Sequence, residues 1–402
     1  MPFDDRVASL IPSLRAWQEH LHQNPELSFE EVETTAYLEQ ILSAMPGVTV
    51  TRPTKTGLVA SIRGEKPGVP AVLGVRGDID ALPIDEASGL PYASSRPGVM
   101  HACGHDGHTA MLLGLAALLS ENRSRFTGEA RLFFQHAEEL PPGGAVEMVR
   151  AGAADGVDAM LGLHLSTNWP TGVFGVRAGV LTAAVDRFDI TVKGKGAHCS
   201  FPEQGVDVIV TTAQLILALQ TISARRVAAT DPVIVSICQA NAGTAYNILP
   251  NEMTLTGAVR SFDPAVRERI KTLIGEITAG ITASAGASYD YVWDAGYASV
   301  FNDAHLTAIA EETLLSRFGA AHIDHIGPIM PGEDFYAFLD GRPGFFVELG
   351  SRCPEKGCDM PHHNPKYRLD QDALPYGVQY LFDMALTLLD GTGKIAPAKN
   401  EK

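Results

Sequence analysis

Apolar positions along the chain fall into two periods. Residues 5–23 carry them at helical spacing, and so do residues 29–45, where Ser28 with Glu31 three positions on reads as the N-terminal cap. β-rich runs follow at 48–52 and 57–63. Ala71-Val72-Leu73-Gly74-Val75 is a continuous apolar run, the mark of a buried strand. Gly104–Leu119 predicts a helix of small and apolar residues, with Ala110, Leu113 and Ala117 on one packed face. Arg131–Phe134 and Ala159–Leu163 predict two more strands. Strands alternating with helices imply a parallel or mixed sheet with helices on both faces, an α/β fold.

The middle of the chain changes character. Strands are predicted at Phe188–Val192, Val233–Cys238, Met253–Val259 and Ser288–Trp293, and helices at Val206–Ile222 and Pro264–Ile281. The order β-α-β-β-α-β is that of a split βαβ unit with an antiparallel sheet, the ferredoxin-like arrangement. The expectation is an α+β domain at 185–295, inserted into a discontinuous α/β domain made of 1–184 and 296–402. The polar tail Gly391–Lys402 is expected to fray.

A chain of 402 residues has room for two or three domains with cores of their own. Its net charge is −16. So acidic a surface repels phosphate backbones and anionic lipid, which excludes nucleic acid and membrane surfaces as expected partners. The first residues show no basic stretch leading into an apolar run, and the longest apolar stretches are too short or too interrupted to span a bilayer. The five cysteines are odd in number and scattered, which fits a reducing compartment, and a cytoplasmic location is expected. Cys353 and Cys358 sit five apart without a second pair, so they read as two unlinked thiols rather than a zinc ribbon.

The chemistry gathers near predicted strand ends. Met100-His101-Ala102-Cys103-Gly104-His105-Asp106-Gly107-His108 holds three histidines, a cysteine and an aspartate where a loop enters a helix. Imidazole and thiolate suit Zn²⁺, Mn²⁺, Co²⁺ or Ni²⁺. His136-Ala137-Glu138-Glu139 and His164 each follow a predicted strand, and His362-His363-Asn364-Pro365 precedes the last helix. In open α/β sheets, ligands gather at the carboxyl ends of strands, so together these clusters point to a two-metal site. Asp78 and Asp80, leaving the Ala71–Val75 strand, read either as turn formers or as residues that orient the metal ligands.

With these motifs in place, the sequence resembles the amidohydrolases of the aminoacylase/carboxypeptidase clan, in the branch of hippurate hydrolase and the indoleacetyl-amino-acid hydrolases. The matching segments are LHQNPELSFEE (Leu21–Glu31), RGDIDALPI (Arg76–Ile84), MHACGHDGHTAMLLG (Met100–Gly114), HAEE (His136–Glu139), GLHL (Gly162–Leu165), GKGAHCSFPEQGVD (Gly194–Asp207), NILPNEMTLTGAVRSFD (Asn247–Asp263), GEDFYAF (Gly332–Phe338) and HNPKY (His363–Tyr367). They span nearly the whole chain. Met330-Pro331-Gly332 departs from the Gly-Ser that often precedes Glu-Asp in the family.

The resemblance implies a catalytic α/β domain with an inserted dimerisation domain, and two divalent ions per subunit, Mn²⁺ or Zn²⁺ first, Co²⁺ or Ni²⁺ also fitting. It implies Cys103 as the bridging ligand and His105, Glu139, His164 and His363 as the others. His363 is preferred to His362 because it directly precedes Asn364-Pro365. Glu138 is the implied general base. His198, reaching a neighbouring subunit's site, and Asn247 are the implied oxyanion donors, and Arg260 the implied partner of a substrate carboxylate. The expected reaction is hydrolysis of N-acyl-L-amino acids to a carboxylic acid and a free amino acid by a homodimer. A metal-dependent dipeptidase or carboxypeptidase is the alternative. A binding protein without turnover is the third reading, and Glu138, a second carboxylate beside a ligand, argues against it.

Overall fold

The computed structural model describes residues 3–395; the remainder of the predicted frayed tail, 396–402, lies outside them. The chain forms two compact units. One comprises 3–181, 300–327 and 334–395, the other 182–299 and 328–333. The sequence boundaries drawn at 184/185 and 295/296 thus fall three or four residues inside those of the second unit, which also takes in the Met330-Pro331-Gly332 segment. Ala183 N–H donates to the carbonyls of Ile329 and Pro331, and Gly332 lies so close to Val185 that a Cβ would meet its side chain at 2.2 Å.

The first unit is built on an eight-stranded mixed sheet. Its order is Val48–Thr51, Leu58–Arg63, Glu129–Gln135, Val72–Asp78, Ala159–Pro170, Gly344–Arg352, Phe174–Val176 and Ile323–His325. The four central strands run parallel, so their carboxyl ends share one edge. They read as near-continuous apolar runs because both faces are covered. The Ala159–Pro170 strand is longer than its apolar run, and His164 lies within it, opposite Glu348.

The helix after the metal-ligand motif, His105–Glu121, is buried around almost its whole circumference, not along the single face predicted, and Ala117 is its half-exposed position. It packs against Asp5–Gln23 and Leu374–Leu388. At Gly114 a Cβ would lie 2.7 Å from Leu14 and 2.9 Å from Val378, so the three helices meet there only because that position has no side chain.

One predicted start is corrected. The second helix is Val32–Ser43, and Ser28 does not cap it. Phe29 turns to φ 67°, off the helical path, and the Ser28 hydroxyl donates to Asp80 at 2.7 Å instead. The Glu31 carboxylate accepts from Phe29 N–H at 3.0 Å and from Ala137 N–H at 2.8 Å. A predicted capping box is therefore used to tie the loop to the end of the Glu129–Gln135 strand.

The second unit has a four-stranded antiparallel sheet in the order Val233–Ala242, Glu252–Ser261, Ala184–Lys193, Ser288–Ala295. That is the order a split βαβ unit gives. Helices Val208–Leu219 and Pro264–Ser284 cover one face around Phe188, Leu215, Leu255 and Ile270. Asp207 and Asp263 cap the two helices; each carboxylate accepts two backbone N–H groups of the first turn. Among the described residues no helix is long and apolar enough to cross a membrane.

Candidate metal centre

The parallel strands deliver their side chains to one edge of the first unit. Gly104, at φ 90°, caps the His105–Glu121 helix and turns the chain so that Cys103 and His105 approach one point. Ala137, at φ 48°, does the same after the Glu129–Gln135 strand. The turn sends His136 away, to Glu147 at 3.0 Å, and leaves Glu138 and Glu139 on the side of His105.

Within the first unit, four sets of donor atoms each lie within 4.8 Å of one another: Cys103, His105 and His164; Cys103, Glu139 and His363; His105, Glu138 and Glu139; and Asp78, His105 and His108. Cys103 Sγ is 3.5 Å from His164 Nε2. His363 Nε2 and His105 Nε2 approach Glu139 Oε1 at 3.2 and 3.9 Å. All six implied residues of the first unit, Cys103, His105, Glu138, Glu139, His164 and His363, thus converge.

Hydrogen bonds fix the imidazoles. His105 Nδ1–H faces the carbonyl of Asp80 at 2.9 Å and its carboxylate at 3.2 Å. His164 Nδ1–H donates to the Leu165 carbonyl at 2.7 Å. Each ring then presents the lone pair of Nε2. The other Asp80 oxygen accepts from Glu139 N–H at 3.0 Å, so one carboxylate aligns both His105 and Glu139. His108 has no lone pair to offer: Nδ1–H goes to Asp78 at 2.6 Å, and Nε2 accepts Leu165 N–H at 2.7 Å. Asp78 is itself held by the buried Arg76 at 2.6 Å, which also grips Asp334 at 2.8 Å.

The donor set fits a cation. His105 Nε2 and Glu139 Oε1 are buried and make no well-aligned hydrogen bond, an arrangement that costs energy unless something electropositive faces both. Desolvation pushes His105 down, but Asp78, Asp80 and Cys103 outweigh it and hold its pKa well above the usual range. A field that retains a proton there also attracts a metal ion. Burial, reinforced by Glu139, raises the Cys103 thiol, and a bound metal is what would ionise it. Burial with His108 and His362 nearby keeps His164 neutral, the form that ligates.

Other candidates of the motif lie apart. His101 is buried with both ring nitrogens unpartnered, and burial lowers its pKa to about 4. Asp106 pairs with His22 at 2.8 Å and Gln18 at 2.5 Å. His362 is packed between the rings of His164 and Tyr367, at 5.1 and 5.2 Å, and is in none of the four sets. His363 reaches Glu139 from a backbone at φ 61°, with its side chain 52 % exposed. Sequence reasoning missed Glu31 as the acceptor for the Ala137 turn and His108 as a brace between Asp78 and Leu165. Both act through tertiary hydrogen bonds between distant segments, which the sequence does not display.

The remaining implied residues belong to the second unit. His198 and Asn247 are neighbours there: His198 pairs with Ile248 in a two-residue ladder, and Cys199 N–H donates to the Asn247 carbonyl at 3.1 Å. His198 is exposed. Arg260 is half-buried on the Glu252–Ser261 strand, opposite Val185, and burial lowers its pKa.

Imidazoles, a thiol and paired carboxylates at the carboxyl edge of parallel strands define a metal-dependent hydrolase. The chain belongs to Peptidase family M20/M25/M40, whose pattern matches residues 74–387, and it is a metal-dependent amidohydrolase of that family. It is 40 % identical over 391 residues to the N-acetyl-L-cysteine deacetylase of Bacillus subtilis (strain 168), covering 96 % of this chain and 90 % of the relative. It is 47 % identical over 287 residues to the N-acyl-L-amino acid amidohydrolase of Geobacillus stearothermophilus, covering 71 % and 77 %. The crystal structure of the Bacillus subtilis YXEP protein, described as a dinuclear metal-binding peptidase of the M20 family, superposes with a TM-score of 0.83 at 35 % identity, covering 96 % of this chain and 99 % of that one. The resemblance read from the motifs is borne out.

Proposed function

We propose that the enzyme hydrolyses N-acyl-L-amino acids to a carboxylic acid and a free amino acid. The observation that carries this reading is Glu138 beside Glu139, both within reach of His105, in a chain whose relatives are named for N-acyl-amino-acid hydrolysis. In this reading Cys103, His105, Glu139, His164 and His363 hold two divalent ions, Mn²⁺ or Zn²⁺ first, with Co²⁺ or Ni²⁺ also fitting the mixed thiolate, imidazole and carboxylate donors. Ions held there would polarise the amide carbonyl and bring the pKa of water toward neutrality. Glu138 takes the proton of the attacking water and returns it to the leaving amine. Asp80 keeps the His105 ring and the Glu139 backbone in place during both transfers. Arg260 grips the free carboxylate of the amino acid in a fork. His198 and Asn247 donate to the oxyanion.

The working form in this reading is a homodimer, and two features of the second unit support it. His198 and Asn247 adjoin the Glu252 end of the Glu252–Ser261 strand, whereas Arg260 lies at the other end, about 26 Å away at roughly 3.3 Å per residue. That span is wider than one small substrate, which supports the reading that one set serves a neighbour's site. The edge strand Val233–Ala242 carries no charged residue, and the helix Val208–Leu219 exposes Ile209, Val210 and Leu217. An uncharged open edge is a template for pairing with a second copy. The acidic chain with its scattered cysteines suits the cytoplasm as the place of reaction.

The test is a substrate panel on metal-reconstituted protein: N-acetyl and N-benzoyl derivatives of aliphatic, aromatic, acidic and sulfur-containing amino acids against dipeptides with a free α-amino group. The reading predicts turnover of the acylated series. Cleavage of the dipeptides alone would replace it with the dipeptidase or carboxypeptidase alternative.

A further inference from the structure

Cys353 and Cys358 read as unlinked thiols in the sequence, but the fold sets them opposite each other. They form an antiparallel bridge at the base of a tight hairpin. Cys353 N–H donates to the Cys358 carbonyl at 2.9 Å, and Cys358 N–H to the Cys353 carbonyl at 3.0 Å. A pair that exchanges both bonds has its Cα atoms about 5.5 Å apart with both side chains on one face. Disulfides span about 4.4–6.8 Å between Cα atoms, so the Cα separation is one a bridge can take. The hairpin is held in shape by the turn Pro354–Lys356, by Gly357 at φ 72°, and by Lys356, which binds Asp370 at 2.7 Å.

The two thiols also differ. Cys353 is half-buried, and its S–H points to Glu355 Oε2 at 3.4 Å. Cys358 is buried, which pushes its pKa up to about 11. The more accessible thiol is the one that meets an oxidant, and the covered one resolves the adduct.

We infer that Cys353 and Cys358 are a reversible dithiol–disulfide site that takes its oxidising equivalents from small-molecule disulfides and, when bridged, braces the segment leading to His363. In the first step the Cys353 thiolate attacks one sulfur of the small disulfide. An S–S bond forms at Cys353, the original S–S bond breaks, and one small thiol leaves with a proton. In the second step Cys358 attacks the Cys353 sulfur and the second small thiol leaves. Two protein thiols are oxidised by two electrons and one small disulfide is reduced to two thiols. In open antiparallel pairing Cβ atoms lie about 4.5–5.5 Å apart, wider than the roughly 3.8 Å a relaxed disulfide takes. The bond is therefore strained, and strained disulfides are the readily reduced, responsive ones.

The experiment uses metal-loaded enzyme and oxidised glutathione in excess, with unreacted thiols then alkylated. Trypsin cuts after Arg352, Lys356 and Lys366, so a bridge joins peptide 353–356 to peptide 357–366. The joined pair is expected in most chains and is expected to disappear in excess reduced glutathione. Cys358→Ser should instead trap glutathione on Cys353. Wild-type protein that holds glutathione on Cys353 while Cys358 is alkylated, or that leaves both alkylated, overturns the site. A bridge that survives excess reduced glutathione overturns its reversibility. The bracing part rests on the ligand role proposed for His363. Bridged enzyme should surrender metal to a chelator several-fold more slowly than reduced enzyme, and equal rates would overturn bracing while leaving the mass result untouched.

Discussion

The edge of the first unit and the His198 end of the second differ in how their polar groups are held. At the metal centre His105 and His164 each have one nitrogen committed and the other left open, while His108 has both committed. His105 is fixed by Asp80, His164 by the Leu165 carbonyl, and Asp80 in turn by Ser28 and Glu139. Burial makes each of these bonds count, because a misdirected donor there would have no water to turn to. His198 and Asn247 sit on a short two-residue ladder, and His198 is exposed, with its Nδ1 accepting Ser200 N–H at 3.1 Å. The first arrangement is organised before any ligand arrives. The second offers groups whose work, in the proposed reading, lies on another chain.

The most damaging change should be His105→Ala. It removes a donor common to three of the four sets, and loss of the ions it helps to hold should cost more than about 10³ in turnover. Metal analysis and activity should fall together; full activity with full metal would remove His105 from the site.

His198→Ala should cost about 10²–10³ in kcat with metal content unchanged. Mixing it with Glu138→Gln under subunit exchange should restore activity, since one site of each mixed dimer would carry neither lesion. No recovery despite proven exchange would return His198 to its own subunit or remove it from the chemistry.

A smaller effect is expected at the brace. Asp80→Asn keeps the shape but weakens the acceptor shared by His105 and Glu139, and metal affinity should fall by about 10–100-fold. Titration against a competing chelator measures this. Unchanged affinity would mean that the Asp80 backbone carbonyl alone aligns His105.

The mildest effect is on stability. His22 is buried between Asp106 and Glu86; desolvation lowers its pKa, but the two carboxylates raise it to about 9. A raised folded pKa contributes stability that is complete below the ordinary value of 6.5 and lost as pH rises through about 9. His22→Gln should therefore lower Tm at pH 6 and converge with wild type near pH 10. A difference that does not change with pH would assign the loss to packing.

The two regions were also legible to different degrees in the sequence. Cys103 and His105 stand two residues apart at a helix entrance, and Glu138 with Glu139 at a strand end, so local pattern alone finds them. His164 and His363 come from distant segments, and only the strand-end rule and the family resemblance tie them to the rest. Hydrophobic pattern records burial rather than pairing, which is why the strand read as Ala159–Leu163 continues to Pro170 against Gly344–Arg352. It also cannot see that the positive φ of Phe29 spoils the cap at Ser28, or that His136 turns away to Glu147. The His101–His108 motif gave five candidate side chains, and tertiary hydrogen bonds, not spacing, separate the open ones from His108 and Asp106.

The account depends most on the division of labour between two adjacent carboxylates, Glu139 holding metal and Glu138 moving the proton. Metal stoichiometry and turnover of Glu138→Gln, measured on the same preparation, test it directly. The account predicts two ions per chain, as in wild type, with kcat reduced by about 10²–10⁴. Loss of metal in step with activity would make Glu138 a ligand and contradict the assignment.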